Sequence, residues 1–247
     1  MRREELGVEP LGPATTLIAY GHFGRPVLVF PSEQGRAWDF ENNGMVGAVA
    51  ELIDAGRVKL YCVDSADAAT WSDHSVPLEE RARRHDEYEN WVMSRVAPRI
   101  AEDCDGEIDE IVTVGCSLGA YHAANFALKH ADLFPLALCF SGNYDPSTWN
   151  GWGGRGEAAY FSNPMDYVAH LEGEHLDWLR ARVNLLLVVG QGSWEVDPTQ
   201  SLPSARAFAD RLAEKGIRHE LDVWGLDVPH DWPSWRAQFA HHLPRFC

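Results

Sequence analysis

Residues 110–129 of the sequence read Glu110-Ile-Val-Thr-Val-Gly-Cys-Ser117-Leu-Gly-Ala-Tyr-His-Ala-Ala-Asn-Phe-Ala-Leu-Lys129. Its first five residues predict a buried strand, and the alanine-rich run from Ala120 onward predicts a helix. Between them, residues 115–119 match G-x-S-x-G. A strand that turns directly into a helix leaves the central Ser117 exposed on a strained corner, where the glycines make room for neighbouring backbone. Ser117 is therefore the predicted nucleophile. The Leu118 amide, at the start of the helix, is a predicted oxyanion donor.

Short apolar runs alternate with helical patterns on both sides of this stretch. The other predicted strands are 16–20, 26–30, 58–63, 136–140, 183–189 and 219–224, and the clearest other helices are 77–100 and 201–215. This alternation predicts an α/β fold with a mostly parallel central sheet and helices on both faces. The first two runs, with glycines between them, are expected to form a hairpin-like pair.

Domain organisation is expected to be simple, with one domain over residues 1–247. Residues 141–165 have no periodicity but contain five glycines and five aromatic residues. A long irregular segment that is rich in aromatics is typical of a functional loop rather than a disordered linker, so we expect it near the active site.

Composition and net charge disfavour several classes of partner. The 247 residues are 45% hydrophobic and carry a net charge of −16, which disfavours binding to nucleic acid or to an anionic membrane surface. No apolar stretch suggests a leader or a membrane span, and the five unpaired cysteines are typical of a reducing compartment. We therefore expect a cytoplasmic protein with a small-molecule substrate. A homo-oligomer is compatible with these data.

A serine hydroxyl needs a histidine to take its proton, and on this type of fold the chain order is serine, acid, histidine. His230 is the best-placed base, because it follows the last predicted strand and precedes the closing helix. His219 is expected within that strand. His241 and His242 are expected on the terminal helix.

The acid is expected in the loop after residues 183–189, where the sequence reads Gly190-Gln-Gly-Ser-Trp-Glu-Val-Asp-Pro198. Either Glu195 or Asp197 could orient the imidazole, and Glu195 is preferred because Asp197 precedes a proline and could instead cap the next helix. Asp227 and Asp231 flank His230, but their closeness in sequence makes the geometry awkward.

The remaining site residues are expected in loops that follow strands. A second backbone donor for the oxyanion should come from Pro31-Ser-Glu-Gln-Gly-Arg36, in which Gln34 is preferred and Ser32 and Gly35 are close competitors. The candidate substrate-binding walls are Trp71, Tyr144, Trp149 and Trp194.

No metal or cofactor is predicted. His170-Leu-Glu-Gly-Glu-His175 contains four candidate metal ligands, but the two histidines are five residues apart and do not share a helical face. No G-x-G-x-x-G follows a strand, so a dinucleotide site is also not expected.

Three segments resemble a known family. The Gly115–His122 elbow, the Gly190–Glu195 loop and the Pro229–Trp235 ending are similar to those of the α/β-hydrolase esterases related to esterase D (S-formylglutathione hydrolase), feruloyl esterases and mycolyltransferases. The resemblance runs from about residue 14 to 246. It implies a serine esterase with the α/β-hydrolase fold, a Ser117, Glu195 and His230 triad, and Leu118 and Gln34 as oxyanion donors.

The expected activity is hydrolysis of carboxylic esters through an acyl-enzyme intermediate. An amidase, a thioesterase or an acyltransferase could use the same triad, and a hydrolase-fold protein without catalytic activity could serve as a binding module. Because mycolyltransferases are exported and this sequence shows no leader, transfer to trehalose and action on plant polymers are not expected.

Overall fold

A computed structural model describes residues 2–12, 14–106, 108 and 110–247. Its centre is one eight-stranded sheet in the order β1-β2-β4-β3-β5-β6-β7-β8. Strands β3 to β8 are parallel to one another, and β2 runs antiparallel to both of its neighbours. The strands are β1 (Arg3–Leu6), β2 (Leu17–Tyr20), β3 (Arg25–Phe30), β4 (Val58–Val63), β5 (Val112–Cys116), β6 (Leu136–Phe140), β7 (Asn184–Val189) and β8 (Arg218–Val223).

The mostly parallel sheet is confirmed, but the hairpin-like pairing of β2 and β3 is wrong. Strand β4 lies between them, pairing antiparallel with β2 and parallel with β3. A short connection in sequence does not show whether a later strand inserts between two neighbours. Strand β1, which the sequence analysis missed, is only four residues long and carries three charged residues, so no apolar pattern marks it.

Helices cover both faces of the sheet. The helices are α1 (Asp39–Asn42), α2 (Met45–Ala48), α3 (Ala50–Asp54), α4 (Leu78–Trp91), α5 (Ala97–Asp103), α6 (Leu118–Lys129), α7 (Glu157–Phe161), α8 (Pro164–His170), α9 (Gly173–Arg182), α10 (Ser201–Lys215) and α11 (Trp232–His242). A π-helical segment, Val92–Val96, joins α4 to α5 within the single helix that the sequence predicted.

The alternation of side chains along each strand produces two cores. In β4, Tyr61 and Val63 face the core formed with α4, α6 and α10, whereas Leu60 and Cys62 face the core formed with α1, α2 and α11. The region 141–165 contains α7 and the start of α8 and is thus more regular than predicted. Among the described residues, no helix is both long and apolar enough to cross a bilayer.

Parallel strands direct their carboxyl ends to one edge of the sheet, and this edge carries the candidate site. The loops after β3, β5, β6, β7 and β8 all begin there.

Candidate active site

Ser117 occupies the turn between β5 and α6, with φ 56° and ψ −121°. The turn depends on the glycines on either side of it. A Cβ atom on Gly115 would lie 2.0 Å from the carbonyl oxygen of Gly119, and one on Gly119 would lie 2.3 Å from the carbonyl oxygen of Pro31. The helix therefore starts in direct contact with β5 and with the loop after β3, and the serine projects from the corner.

Three side chains from three loops form a hydrogen-bonded series at this corner. Ser117 Oγ lies 3.0 Å from His230 Nε2, and His230 Nδ1 lies 3.2 Å from Glu195 Oε2. Glu195 is fully buried, and the His230 side chain is 7% exposed. The carboxylate can only accept a hydrogen bond, so it holds the proton on Nδ1 and leaves Nε2 free to accept the serine proton.

The competing residues have other contacts. Asp231 accepts a hydrogen bond from the Ser234 amide and caps α11, and Asp197 is exposed in the loop before α10. His219 contacts the Ile217 carbonyl, and His242 pairs with Asp222 at 2.9 Å. Among the described residues, Glu195 is thus the carboxylate that contacts His230.

The second oxygen of Glu195 is held by groups that the sequence analysis did not identify. Oε1 accepts hydrogen bonds from Ser141 Oγ at 2.6 Å and from the Gly190 amide at 3.1 Å. Ser141 in turn accepts a hydrogen bond from Trp235 Nε1 at 3.1 Å. Ser141 directly follows β6, so its place at the carboxyl edge of the sheet is the signal that could have pointed to it.

Two backbone amides flank Ser117 without an acceptor among the described residues. One belongs to Leu118, at the start of α6, and the other belongs to Glu33, in the loop after β3. Both residues line the same cavity as Ser117. The amide of Gln34, the donor preferred from sequence, instead donates to Asp67 Oδ2 at 3.2 Å. The Gln34 amide is thus already hydrogen-bonded within the fold, which leaves its neighbour Glu33 as the candidate second donor in this loop.

The cavity over Ser117 has a volume of about 370 Å³. Trp71 and Trp149 line it, with their rings edge to face and their centroids 5.4 Å apart. Tyr144 and Trp194 do not line it: Tyr144 is buried and stacked on Phe208, and Trp194 is 65% exposed. The other lining residues are mostly polar and were missed: His74, Asn143, Thr148, Asn150, Thr199, Gln200 and Ser201.

A fully buried arginine holds the aromatic wall of the cavity in place. Arg81 donates to the carbonyl oxygens of Trp71, Trp149 and Asn150 at 3.0–3.1 Å. Burial lowers the pKa of this guanidinium, and the charge of Asp73 opposes the shift. Because arginine stays protonated even so, it remains a fixed donor that joins two loops on one side of the cavity.

Other reactive groups near the site are poorly suited to catalysis. Burial, with a smaller contribution from Cys139, raises the pKa of the Cys116 thiol well above its usual value, so this neighbour of Ser117 is a weak nucleophile.

His85, Asp86 and Glu89 lie close enough together to ligate a metal ion. Lys129 Nζ, however, lies 2.7 Å from Glu89 Oε2, so the positive charge beside this carboxylate is that of the lysine.

Comparisons with known proteins identify the family and the fold. The model of the family described as "Putative esterase" matches residues 34–246. No curated protein matches the sequence. Among solved structures, a ferulic acid esterase aligns with a TM-score of 0.71 and 14% identity, covering 99% of this chain and 95% of that one.

Two further structures are similar over nearly their whole length. The S-formylglutathione hydrolase FrmB from Staphylococcus aureus aligns with a TM-score of 0.67 and 12% identity, covering 99% of this chain and 96% of that one. MPT51 (FbpC1) from Mycobacterium tuberculosis aligns with a TM-score of 0.70 and 14% identity, covering 99% and 97%. At these identities the structural matches establish the fold, which is that of the α/β-hydrolases.

Proposed function

The chain belongs to the "Putative esterase" family of esterase-type hydrolases, and we propose that it cleaves carboxylic esters through an acyl-enzyme intermediate on Ser117. The observation that carries the proposal is the 3.0 Å separation of Ser117 Oγ and His230 Nε2, with Glu195 bonded to the far side of the imidazole. This arrangement lets a hydroxyl lose its proton as it attacks a carbonyl carbon.

The first half of the proposed reaction forms the acyl-enzyme. Ser117 Oγ attacks the ester carbonyl carbon while its proton passes to His230 Nε2, and the carbonyl oxygen becomes an anion. The Leu118 and Glu33 amides donate to that anion. When the tetrahedral intermediate collapses, the bond to the alcohol oxygen breaks and His230 gives its proton to the leaving alcohol.

The second half repeats these steps with water. His230 accepts a proton from water as its oxygen attacks the acyl carbon, and a second tetrahedral anion forms in the same place. Its collapse breaks the bond to Ser117 Oγ, which regains a proton from His230, and releases the carboxylic acid. Glu195 stays ionised throughout and stabilises the imidazolium.

The proposal is tested by labelling and turnover. A fluorophosphonate probe should label the wild-type protein, and Ser117→Ala should abolish both labelling and hydrolysis of p-nitrophenyl acetate. A panel of matched p-nitrophenyl esters, anilides and thioesters then defines the bond that is cleaved. Wild-type protein that resists the probe would contradict the serine mechanism, and turnover of anilides alone would contradict the ester assignment.

A further inference from the structure

Asp67 is a buried carboxylate that contacts both sides of the proposed oxyanion hole. It lies in the turn Asp67–Ala69, after β4, and is 1% exposed. Its Oδ2 accepts the Gln34 amide at 3.2 Å, and its Oδ1 lies 3.0 Å from His122 Nε2. We propose that Asp67 is a positioning residue that fixes the spacing between the Glu33 and Leu118 amides. This inference rests on the function proposed above.

On the loop side, Asp67 holds the peptide that follows the Glu33 donor. Gln34 has φ 54°, a left-handed conformation that is unfavourable for a residue with a side chain. The bond from the Gln34 amide to Asp67 fixes the plane of the peptide between Glu33 and Gln34. Because that plane restricts ψ of Glu33, it restrains the adjoining peptide, which carries the Glu33 amide.

On the helix side, Asp67 holds the first turn of α6. His122 follows Leu118 by four residues, so the two lie one turn apart on the same helix. A carboxylate only accepts hydrogen bonds, so His122 Nε2 must donate to Asp67. On the other side of the ring, His122 Nδ1 lies 3.3 Å from His85 Nε2, and the two rings are stacked with their centroids 5.2 Å apart.

The two donor amides belong to separate elements, which makes their spacing a tertiary property. Donors stabilise an oxyanion only when each lies within about 2.7–3.1 Å of it, so a small displacement of one element weakens the pair. The backbone contact between Gly119 and Pro31 prevents the elements from moving closer together. Asp67, bonded to both, prevents them from moving apart.

Asp67→Asn tests this inference, because the asparagine keeps the shape of the side chain but replaces the carboxylate, which accepts on both oxygens, with a neutral amide that has one accepting oxygen. Turnover of p-nitrophenyl acetate is measured per active site, with sites counted by exhaustive fluorophosphonate labelling. Phenylboronic acid, which forms a tetrahedral adduct with an active serine, reports on the oxyanion hole. We expect kcat to fall and the boronate Ki to rise by a similar factor of about 10 to 100, with little change in KM.

A matched pair at His122 provides the second test. The Nε2 of glutamine can replace the imidazole Nε2 as donor, so His122→Gln should keep kcat and the boronate Ki within about threefold of wild type. His122→Phe keeps a ring but removes the donor, and should resemble Asp67→Asn. This pair decides the question if Asp67→Asn does not fold.

Asp103→Asn serves as the control for general destabilisation. Asp103 pairs with Lys59 and Tyr61, near the opposite end of β4, and its variant should lower stability without changing kcat per site or the boronate Ki. Folded Asp67→Asn with wild-type kcat and boronate Ki would overturn the inference, as would equal behaviour of His122→Gln and His122→Phe. Wild-type protein that does not react with the fluorophosphonate probe would instead contradict the proposed function, and with it this inference.

Discussion

Trp235 Nε1 donates a hydrogen bond to Ser141 Oγ at 3.1 Å, and this contact fixes the direction of the hydrogen bond between Ser141 and Glu195. With its oxygen already accepting from the indole, Ser141 turns its only proton toward Glu195 Oε1, 2.6 Å away. The tryptophan ring also stands edge-on to His230, with centroids 4.9 Å apart. The same side chain thus supports both the acid and the base of the proposed triad.

Removing this support should slow turnover without unfolding the protein. Ser141→Ala deletes a hydrogen bond to a buried carboxylate, and we expect kcat/KM to fall about 10- to 100-fold, as measured with p-nitrophenyl acetate. Alanine tolerates the φ of 52° no worse than serine does, so the variant adds no backbone strain.

Trp235→Phe should have a smaller effect, about three- to tenfold, because the phenyl ring still packs near His230 while the N–H is lost. Both changes act on one series of hydrogen bonds, so the double variant should be little worse than Ser141→Ala alone. Fully additive losses would mean that the two residues act independently.

Glu195→Gln should identify the acid of the triad. The neutral amide cannot stabilise an imidazolium and can donate toward the wrong tautomer, so we expect kcat/KM to fall by about 10³ to 10⁴. Asp197→Asn is the matched control two residues away and should stay within about twofold of wild type. A larger loss in the Asp197 variant would reverse the assignment.

The glycine at 119 should be essential to the fold as well as to the site. In Gly119→Ala the new Cβ would meet the Pro31 and Phe30 carbonyl oxygens at 2.3 and 2.6 Å, and neither backbone can move without disturbing the sheet. We expect a loss of at least about 3 kcal/mol in the free energy of urea unfolding.

Gly47→Ala is the control for this substitution. Gly47 lies in α2 with nothing within 4 Å of the new Cβ atom, so alanine should be neutral or stabilise by up to about 1 kcal/mol. Equal stability of the two alanine variants would show that the close contact at Gly119 is not a constraint.

Glu89 should make the free energy of unfolding depend on pH in the acid range. Burial would raise the pKa of its carboxyl, but the hydrogen bond from His130 and the charge of Lys129 outweigh it and hold the pKa at about 2, below its ordinary 4.5. The folded protein therefore favours the ionised form. The resulting stabilisation is complete above pH 4.5 and is lost as the pH falls from 4.5 toward 2.

Glu89→Gln should thus cost up to about 3 kcal/mol at pH 7, and the difference from wild type should shrink as the pH approaches 2. Urea unfolding at several pH values measures it. Glu102→Gln is the control, since that side chain is 73% exposed and 3.7 Å from Arg99. A difference in the free energy of unfolding between wild type and Glu89→Gln that does not change with pH would contradict the assigned pKa shift.

Local sequence patterns were sufficient to predict the parallel sheet and the corner that carries Ser117. Both follow from local rules: buried parallel strands are continuous apolar runs, and G-x-S-x-G between a strand and a helix admits one type of turn. Chain order then indicated the loops of Glu195 and His230, because the carboxyl ends of parallel strands share an edge of the sheet.

Which groups within those loops meet depends on how the separate elements pack together. The insertion of β4 between β2 and β3, the contact of Ser141 with the acid, the contact of Trp235 with Ser141, and the burial of Tyr144 all join residues far apart in sequence. The choice of Glu33 over Gln34 depends on where the carboxylate of Asp67 lies, 33 residues along the chain from Gln34. A residue pattern records the local preference of each segment, whereas an amide finds its acceptor only once separate elements have packed together.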